Sequence, residues 1–228
     1  MNAGIKSAGF NPVAETTPDS DCRLQEIPDF AALEFISTDF DTTKALAIAK
    51  ANGVINPQFY KWQNHVVLYA KLNHAEKLRE TFATAFPAIQ IRLYTLPVYN
   101  FSRAEQCRNA QIAQEWEHVL LTANLVDDPK LQQEYLNYHK TQFEKWPEVS
   151  AGFCNAGFQQ LQVFKNGRQL LLVISIPKGA SLADLNPKTT ENNPRVNDWN
   201  GLMKKYQTGI DGAKPDETWV ELKKINQQ

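Results

Sequence analysis

Three cysteines, Cys22, Cys107 and Cys154, stand singly along 228 residues. None forms a Cys-x-x-Cys pair and the odd count closes no disulfide framework, so the spacing predicts reduced thiols in a cytoplasmic protein. A charge excess of either sign is also missing: 24 Lys and Arg face 25 Asp and Glu, a formal net charge of -1. Such a chain projects no strong field toward nucleic acid or an anionic membrane, and no Lys/Arg cluster with interleaved aromatics restores one. No apolar run approaches the roughly 20 residues that span a bilayer, and residues 1–26 hold none of signal-peptide length. His65, His74 and His118 show no ligand spacing with cysteine or carboxylate, so no metal is expected. The partners left open by these absences are small molecules.

What is present is ordinary globular material. Hydrophobic residues make up 43% and charged residues 21%, enough to build a core, and the length suits one large domain or two small ones. Residues 1–28, rich in Ala, Thr, Asp, Pro and Ser, read as a flexible leader or a strap lying on the fold. Residues 29–99 then read as an N-terminal unit. Ala31–Ser37 is a strand, Ala45, Leu46, Ile48 and Ala49 supply a helix that Gly53 closes, and Gln58–Trp62 and His65–Leu72 form a hairpin over Gln63-Asn64. Asn73 with Glu76 signals an N-cap, Leu78 and Phe82 share one helix face, and Ile89, Ile91 and Leu93 alternate as a strand. The order is β-α-β-β-α-β, the ferredoxin-like arrangement.

Residues 100–115 change character. Ser102 followed by Glu105 is a capping-box pattern, which predicts a connecting helix over Ser102–Gln114. From 116 to 228 the pattern restarts. Glu117–Asn124 reads as a strand, Asp128 and Pro129 open a helix running to Phe143, and Pro147–Ala156 forms a second helix ended by Gly157. Phe158–Phe164 and Arg168–Ile176 flank Asn166-Gly167, a type I′ hairpin signal. Pro177–Arg195 is a polar connection, Val196–Tyr206 a helix and Thr218–Ile225 a last strand. The expected fold is α+β: two tandem ferredoxin-like (β-α-β-β-α-β) units packed as a pseudo-dimeric α/β barrel, burying both apolar sheet faces.

Tyr135 and His139 are four apart on the predicted helix, so they lie on one face about one turn apart. A protonated phenol donates, and an imidazole that titrates near neutrality takes or gives a proton. Opening a sugar hemiacetal requires such a pair: one group removes the anomeric hydroxyl proton while another protonates the ring oxygen. No cofactor is needed. The plain alternative is a core tyrosine and a surface or hydrogen-bonded histidine, since Tyr-x-x-x-His is common by chance.

The surroundings add to the pair. Glu134-Tyr135-Leu136-Asn137-Tyr138-His139, then Trp146-Pro147-Glu148-Val149, then Ala156-Gly157-Phe158, the aliphatic strand Leu170–Ile174, Trp199 with Met203, and Trp219-Val220-Glu221 occur in one order. This collinear set, over about residues 117–226, resembles the L-rhamnose mutarotase family. The resemblance implies a dimeric α/β barrel of ferredoxin-like subunits, with His139 transferring the proton, Tyr135 binding or helping to protonate the sugar, and Trp199 giving an apolar wall. It also marks two departures: Leu161 stands where the family usually has a Tyr, and Trp199-Asn200 where it often has Trp-Trp. Leu161 is therefore a substrate-binding position that cannot hydrogen-bond a hydroxyl.

The expected function is a sugar mutarotase (aldose 1-epimerase) acting on a 6-deoxyhexose such as L-rhamnose or L-fucose. The alternatives are an inactive sugar-binding or structural relative and a different small-ligand enzyme on the same barrel, such as a cofactor-independent monooxygenase. Asp198, beside Trp199, is a candidate for orienting the sugar, against the reading of a solvated helix face. Trp146 and Trp219 read as packing residues and Glu148 as a helix N-terminal charge. Asp184, Asn192 and Arg195 read as surface loop, with closure over a site as the rival reading. The first unit lacks a Tyr-x-x-x-His and is expected to stand in for a second subunit, giving a monomeric pseudo-dimer or weak homodimer.

Overall fold

The computed structural model describes residues 30–108 and 111–225. The leader read over residues 1–28, with Cys22, lies outside the described residues. The first half contains β1 (Phe30–Ile36), α1 (Thr42–Ala51), β2 (Gln58–Trp62), β3 (His65–Lys71), α2 (Ala75–Ala85) and β4 (Gln90–Tyr94). A short strand, β5 (Tyr99–Ser102), and one helical turn, α3 (Arg103–Gln106), lead into the second half. There β6 (Trp116–Leu125) is followed by α4 (Pro129–Lys140), α5 (Gln142–Lys145) and α6 (Pro147–Asn155). Next come the hairpin β7 (Gln160–Asn166) and β8 (Gln169–Pro177), then α7 (Leu182–Leu185) and a 3-10 turn over Asn186–Thr189. The chain closes with α8 (Pro194–Met203), β9 (Gln207–Thr208) and β10 (Val220–Lys224).

All strand pairs described are antiparallel, and they join into one curled sheet in the order β4-β1-β3-β2-β10-β6-β8-β7-β5, with β9 added to β6. The order β4-β1-β3-β2 in the first half is repeated as β10-β6-β8-β7 in the second. Strand β10 joins the halves, pairing Lys223 with Lys61 of β2 and Val220 with Thr122 of β6.

Side chains that alternate along a strand point to opposite faces, and here both faces are covered. In β3, Val66, Leu68 and Ala70 pack with Ala45, Ala49, Leu78 and Phe82 of α1 and α2, whereas Val67 and Tyr69 face the interior. In β8, Leu170, Ile174 and Ile176 pack toward α4, α6 and α8, whereas Leu171 and Val173 meet Tyr69 and Tyr94 from the first half. The interior is thus shared by the two halves, and a Tyr69 Oη to Gln162 Oε1 hydrogen bond of 3.0 Å crosses it. Each large side chain buried there contributes roughly 1.5–3 kcal/mol.

Several local expectations are corrected. No helix spans Ser102–Gln114 among the described residues; buried Tyr99 and Phe101 alternate with exposed Asn100 as β5 pairs with β7, and Ser102 makes no side-chain cap. A helix does start after Ser102, but it stops after one turn at Gln106 instead of running on to Gln114. Helix α2 begins at Ala75 after His74, with no side-chain cap from Asn73. The helix expected to reach Phe143 ends at Lys140, and Phe143 sits in the separate turn α5. In the β7–β8 hairpin, Asn166 pairs with Gln169, so Gly167 and Arg168 form the turn. Only Gly167 of these has positive φ, 59°, which is the type II′ pattern rather than I′. The connection over 177–195 carries α7 and the 3-10 turn.

The cysteine reading is corrected as well. Cys107 and Cys154, 47 residues apart with Cα atoms at 5.7 Å, form a disulfide tying the segment after β5 to α6. Proximity in the fold, invisible to spacing, brings them together, and the Arg103 guanidinium donates to the Cys154 carbonyl at 2.9 Å beside them. Lasting disulfides belong to oxidising compartments, so unpaired thiols no longer support a cytoplasmic location. No helix of the described residues is long and apolar enough to cross a membrane. Closing a loop of this length stabilises a fold by about 4 kcal/mol through the unfolded state. Reductant, or Cys154→Ser, is therefore expected to lower the urea midpoint; an unchanged midpoint would rule out that constraint.

Candidate active site

Helix α4 is fixed at its start by Asp128, whose carboxylate accepts from the Lys130 and Leu131 N–H groups at 2.8 and 3.3 Å, with Pro129 at the first helical position. The register so set turns Tyr135 and His139, four apart, to the buried face of the helix. Their rings lie 4.1 Å apart between centroids. The His139 Nδ1–H donates to the Tyr135 carbonyl at 3.0 Å. A carbonyl only accepts, so Nδ1 carries the proton and Nε2 the lone pair. Nε2 has no hydrogen-bond partner among the described residues.

Burial decides the protonation of both rings. It pushes the His139 pKa down to about 4, against a smaller opposing effect of the Tyr135 carbonyl. It raises the Tyr135 phenol well above its ordinary value, with the Gln207 amide pulling the other way. At neutral pH the pair is a neutral imidazole and a neutral phenol. The Trp219 indole N–H donates to Gln207 Oε1 at 3.2 Å, which turns the Gln207 amide nitrogen toward Tyr135 Oη, 3.5 Å away. Tyr135 accepts there, and its own proton is free to be given elsewhere.

Both residues open on a cavity of about 660 Å³ between the second half's sheet and its helices, within the usual size of small-molecule sites. Trp199 of α8 forms one wall, with its ring 5.3 Å from that of His139. Trp146 packs behind it at 5.5 Å and carries the Arg195 guanidinium 4.0 Å above its own ring. Leu161, Val163, Leu172 and Ile174 make an apolar wall from β7 and β8, while Asn197, Asn200, Lys204 and Gln207 bring polar groups to the rim.

The cavity thus gathers Tyr135, His139, Trp199 and Leu161. Asp198 is exposed and outside its lining, while the adjacent Trp199 takes the inward face of α8. The 177–195 connection borders the cavity through Leu182 and Asn186, not through Asp184, Asn192 or Arg195. Glu148, in the first turn of α6, lies 3.9 Å from Arg195.

Three contributors escaped sequence reasoning. Tyr99 of β5 packs edge-on against His139 at 5.3 Å, with its hydroxyl donating to buried Gln142 at 2.6 Å. The aromatic-polar alternation Tyr99-Asn100-Phe101-Ser102 was the available signal. Gln207 sits on a two-residue strand, too short for any periodicity. Trp219, read as packing, both lines the cavity and orients Gln207.

A family model described as L-rhamnose mutarotase matches residues 118–227. An L-fucose mutarotase of Xanthomonas campestris pv. campestris is 30% identical over 102 residues, 45% of this chain and 80% of that protein. A UPF0734 protein of Dictyostelium discoideum is 34% identical over 92 residues, 38% of this chain and 67% of that one. Among solved structures, a Fusobacterium nucleatum protein described as a monooxygenase shares 11% identity over 86% of this chain and 92% of its own, with a TM-score of 0.46. Through its second half, the chain belongs to the L-rhamnose mutarotase family.

Proposed function

We propose that the chain is an aldose 1-epimerase that interconverts the anomers of a 6-deoxyhexose such as L-rhamnose or L-fucose. The observation that carries this reading is an unpartnered His139 Nε2 beside the Tyr135 phenol in a cavity walled by Trp199. His139 Nε2 takes the proton of the anomeric hydroxyl as Tyr135 delivers its own to the ring oxygen. The bond between C1 and the ring oxygen breaks, leaving an aldehyde. Rotation about C1–C2 presents the other carbonyl face, and the two transfers reverse to close the other anomer. The proton count is unchanged over the cycle.

The same proposal treats residues 29–99 and 116–228 as tandem ferredoxin-like units packed as a pseudo-dimeric α/β barrel. The repeated strand order and the shared interior cluster support it. The first unit then occupies the place of a second subunit, and the chain works as a monomer.

A binding-only relative is the second reading, favoured by Leu161, which puts an apolar side chain on the cavity wall where the resemblance leads one to expect a phenol. Saturation-transfer NMR on L-rhamnose and L-fucose separates the two. Enzymatic exchange above the buffer rate is expected, with His139→Ala reducing it to background and Tyr135→Phe lowering it by about 10²- to 10⁴-fold while circular dichroism stays native. Sugar-induced shifts in the protein spectrum without enhanced exchange would leave the binding reading.

The depressed His139 pKa fixes a second outcome. Because the neutral ring is the base, catalysed exchange is expected to persist as pH falls from 8 to 5 and to be lost through about 4. Loss near pH 6.5, the ordinary imidazole value, would show instead that burial does not depress the His139 pKa. The sign for stability follows from the same direction. The unfolded state protonates first, near its usual value of about 6.5, so the contribution is whole above that pH and disappears as pH falls through about 4. His139→Gln is expected to flatten the fall in urea midpoint between pH 7 and 4.

A further inference from the structure

At the mouth of the interior shared by the two halves, a carboxylate is buried where an apolar side chain would serve packing as well. Glu34 of β1 is 1% exposed. It accepts from His65 Nδ1 and Gln169 Nε2, each at 2.7 Å, and from Tyr94 Oη at 2.8 Å, with Arg92 Nη1 at 3.4 Å. Arg92 Nη1 also contacts Gln169 Oε1, and Gln169 Nε2 reaches Thr122 Oγ1 at 3.0 Å. Desolvating a carboxylate costs several kcal/mol, and a well-packed apolar replacement is often neutral or better. Perturbed or buried ionisable networks that border a cavity are therefore candidate sites.

This network does border one. A separate cavity of about 330 Å³ is lined by His65, Arg92 and Arg168 together with Asn124, Asn166 and Asp211. Arg92 spends only Nη1 on the network, so its Nε and Nη2 have no partner among the described residues. Arg168 is aimed by its Nε–H bond to the Leu125 carbonyl at 3.0 Å, and its Nη1 lies 3.7 Å from Asp127, leaving Nη2 without one. With Nδ1 bound to Glu34, His65 Nε2 also has no partner among the described residues. Two guanidinium edges on one cavity suit an oxyanion, which Arg grips through paired N–H groups. Asp211 and the Asn124 carboxamide make no side-chain hydrogen bond or ion pair among the described residues. Asp211 repels a bare anion but accepts from hydroxyls, so the complementary ligand carries both an acid group and hydroxyls.

We propose that this cavity is a second ligand site, taking a small polyol that bears a carboxylate or a phosphate ester. Arg92 and Arg168 hold the acid group. Asn124, Asn166 and Asp211 take the hydroxyls. Glu34 and Gln169 are positioning residues that lock Arg92 and His65 in place from opposite halves of the sheet. The site stands on the Glu34 network and does not depend on Tyr135 or His139.

The test is a titration of the full chain followed by ¹H–¹⁵N correlation spectra, with D-gluconate and glucose 6-phosphate as probes and D-glucitol as the uncharged control. Saturable shifts at Gly167, Arg168, Gln169 and the β4 amides are expected with at least one acid probe and not with D-glucitol. Arg168→Gln and Asn124→Asp, whose side chains lie outside the Glu34 network, are each expected to weaken binding about tenfold or more. Trp199→Ala, in the other cavity, leaves it unchanged. The same spectra report whether each variant is folded. No saturable shift with either acid, an equal response to D-glucitol, or shifts that survive Arg168→Gln would overturn the proposal and leave the network as a structural lock between the halves.

Discussion

Because β1, β3, β6 and β8 are covered on both faces, every alternate side chain meets either a helix layer or the interior between the two halves. A one-residue slip in any of these strands would exchange the two layers. The constraint is hardest on polar groups in the middle of these strands, which are shut off from bulk water. Each must find a partner or border a cavity. Glu34, Thr122, Gln162 and Gln169 on the inner face have partners drawn largely from across the strand ladder or the opposite half. On the outer face the apolar residues dominate, and the polar chemistry comes from helices and loops that lie over them.

That division explains why the Tyr135–His139 pair sits where it does. On α4 the imidazole satisfies one nitrogen locally, against the Tyr135 carbonyl one turn back, and needs no carboxylate partner. With no charge nearby to favour the imidazolium, burial outweighs the opposing Tyr135 carbonyl and sets the direction of its pKa. The drop from 6.5 to about 4 is a bias of roughly 3 kcal/mol toward the neutral ring. His65 on the inner face does have a carboxylate partner, Glu34 at 2.7 Å. Two histidines of one chain are thus placed in different environments by the face of the sheet they serve: one beside Trp199 at a largely apolar cavity, the other held to a carboxylate beside two arginines.

The parts legible in the sequence were those in which local pattern and tertiary demand agree. Asp128-Pro129 opens α4, Gly53 and Gly157 adopt the positive φ of helix ends, and strands β2 and β3 fall close to where alternation puts them. From these the repeated β-α-β-β-α-β order, and the shared face of Tyr135 and His139, could be read. What stayed hidden depends on distant pairing. Tyr99-Asn100-Phe101-Ser102 becomes a strand because β7 offers an open edge, and the helix that Ser102 and Glu105 signal is cut to one turn. Cys107 and Cys154, 47 residues apart in sequence, are neighbours only in the fold. Gln207 reaches Tyr135 from two residues added to the end of β6. Asp198 and Trp199 are adjacent in sequence, yet the helix sends only the tryptophan inward.

The docking of β5 bears on the departure at Leu161. Phe101 and Tyr99 pair with Leu161 and Val163, so β5 brings a phenol ring to the cavity from outside the stretch matched by the family model. That phenol does not replace a sugar-binding hydroxyl, because Tyr99 Oη already donates to Gln142, which also accepts from Ser150 Oγ at 3.2 Å. It acts as a rigid surface against the His139 ring. Facing the cavity, β7 and β8 then present Leu161, Val163, Leu172 and Ile174 with no hydroxyl among them. A wall of that composition leaves a secondary or primary alcohol without a partner, at a cost of about 1–3 kcal/mol, but accommodates a methyl group. Under the proposed function, the C6 methyl of a deoxyhexose is the part of the substrate that belongs there, while the hydroxyls turn to Asn197, Asn200 and Gln207 on the opposite rim.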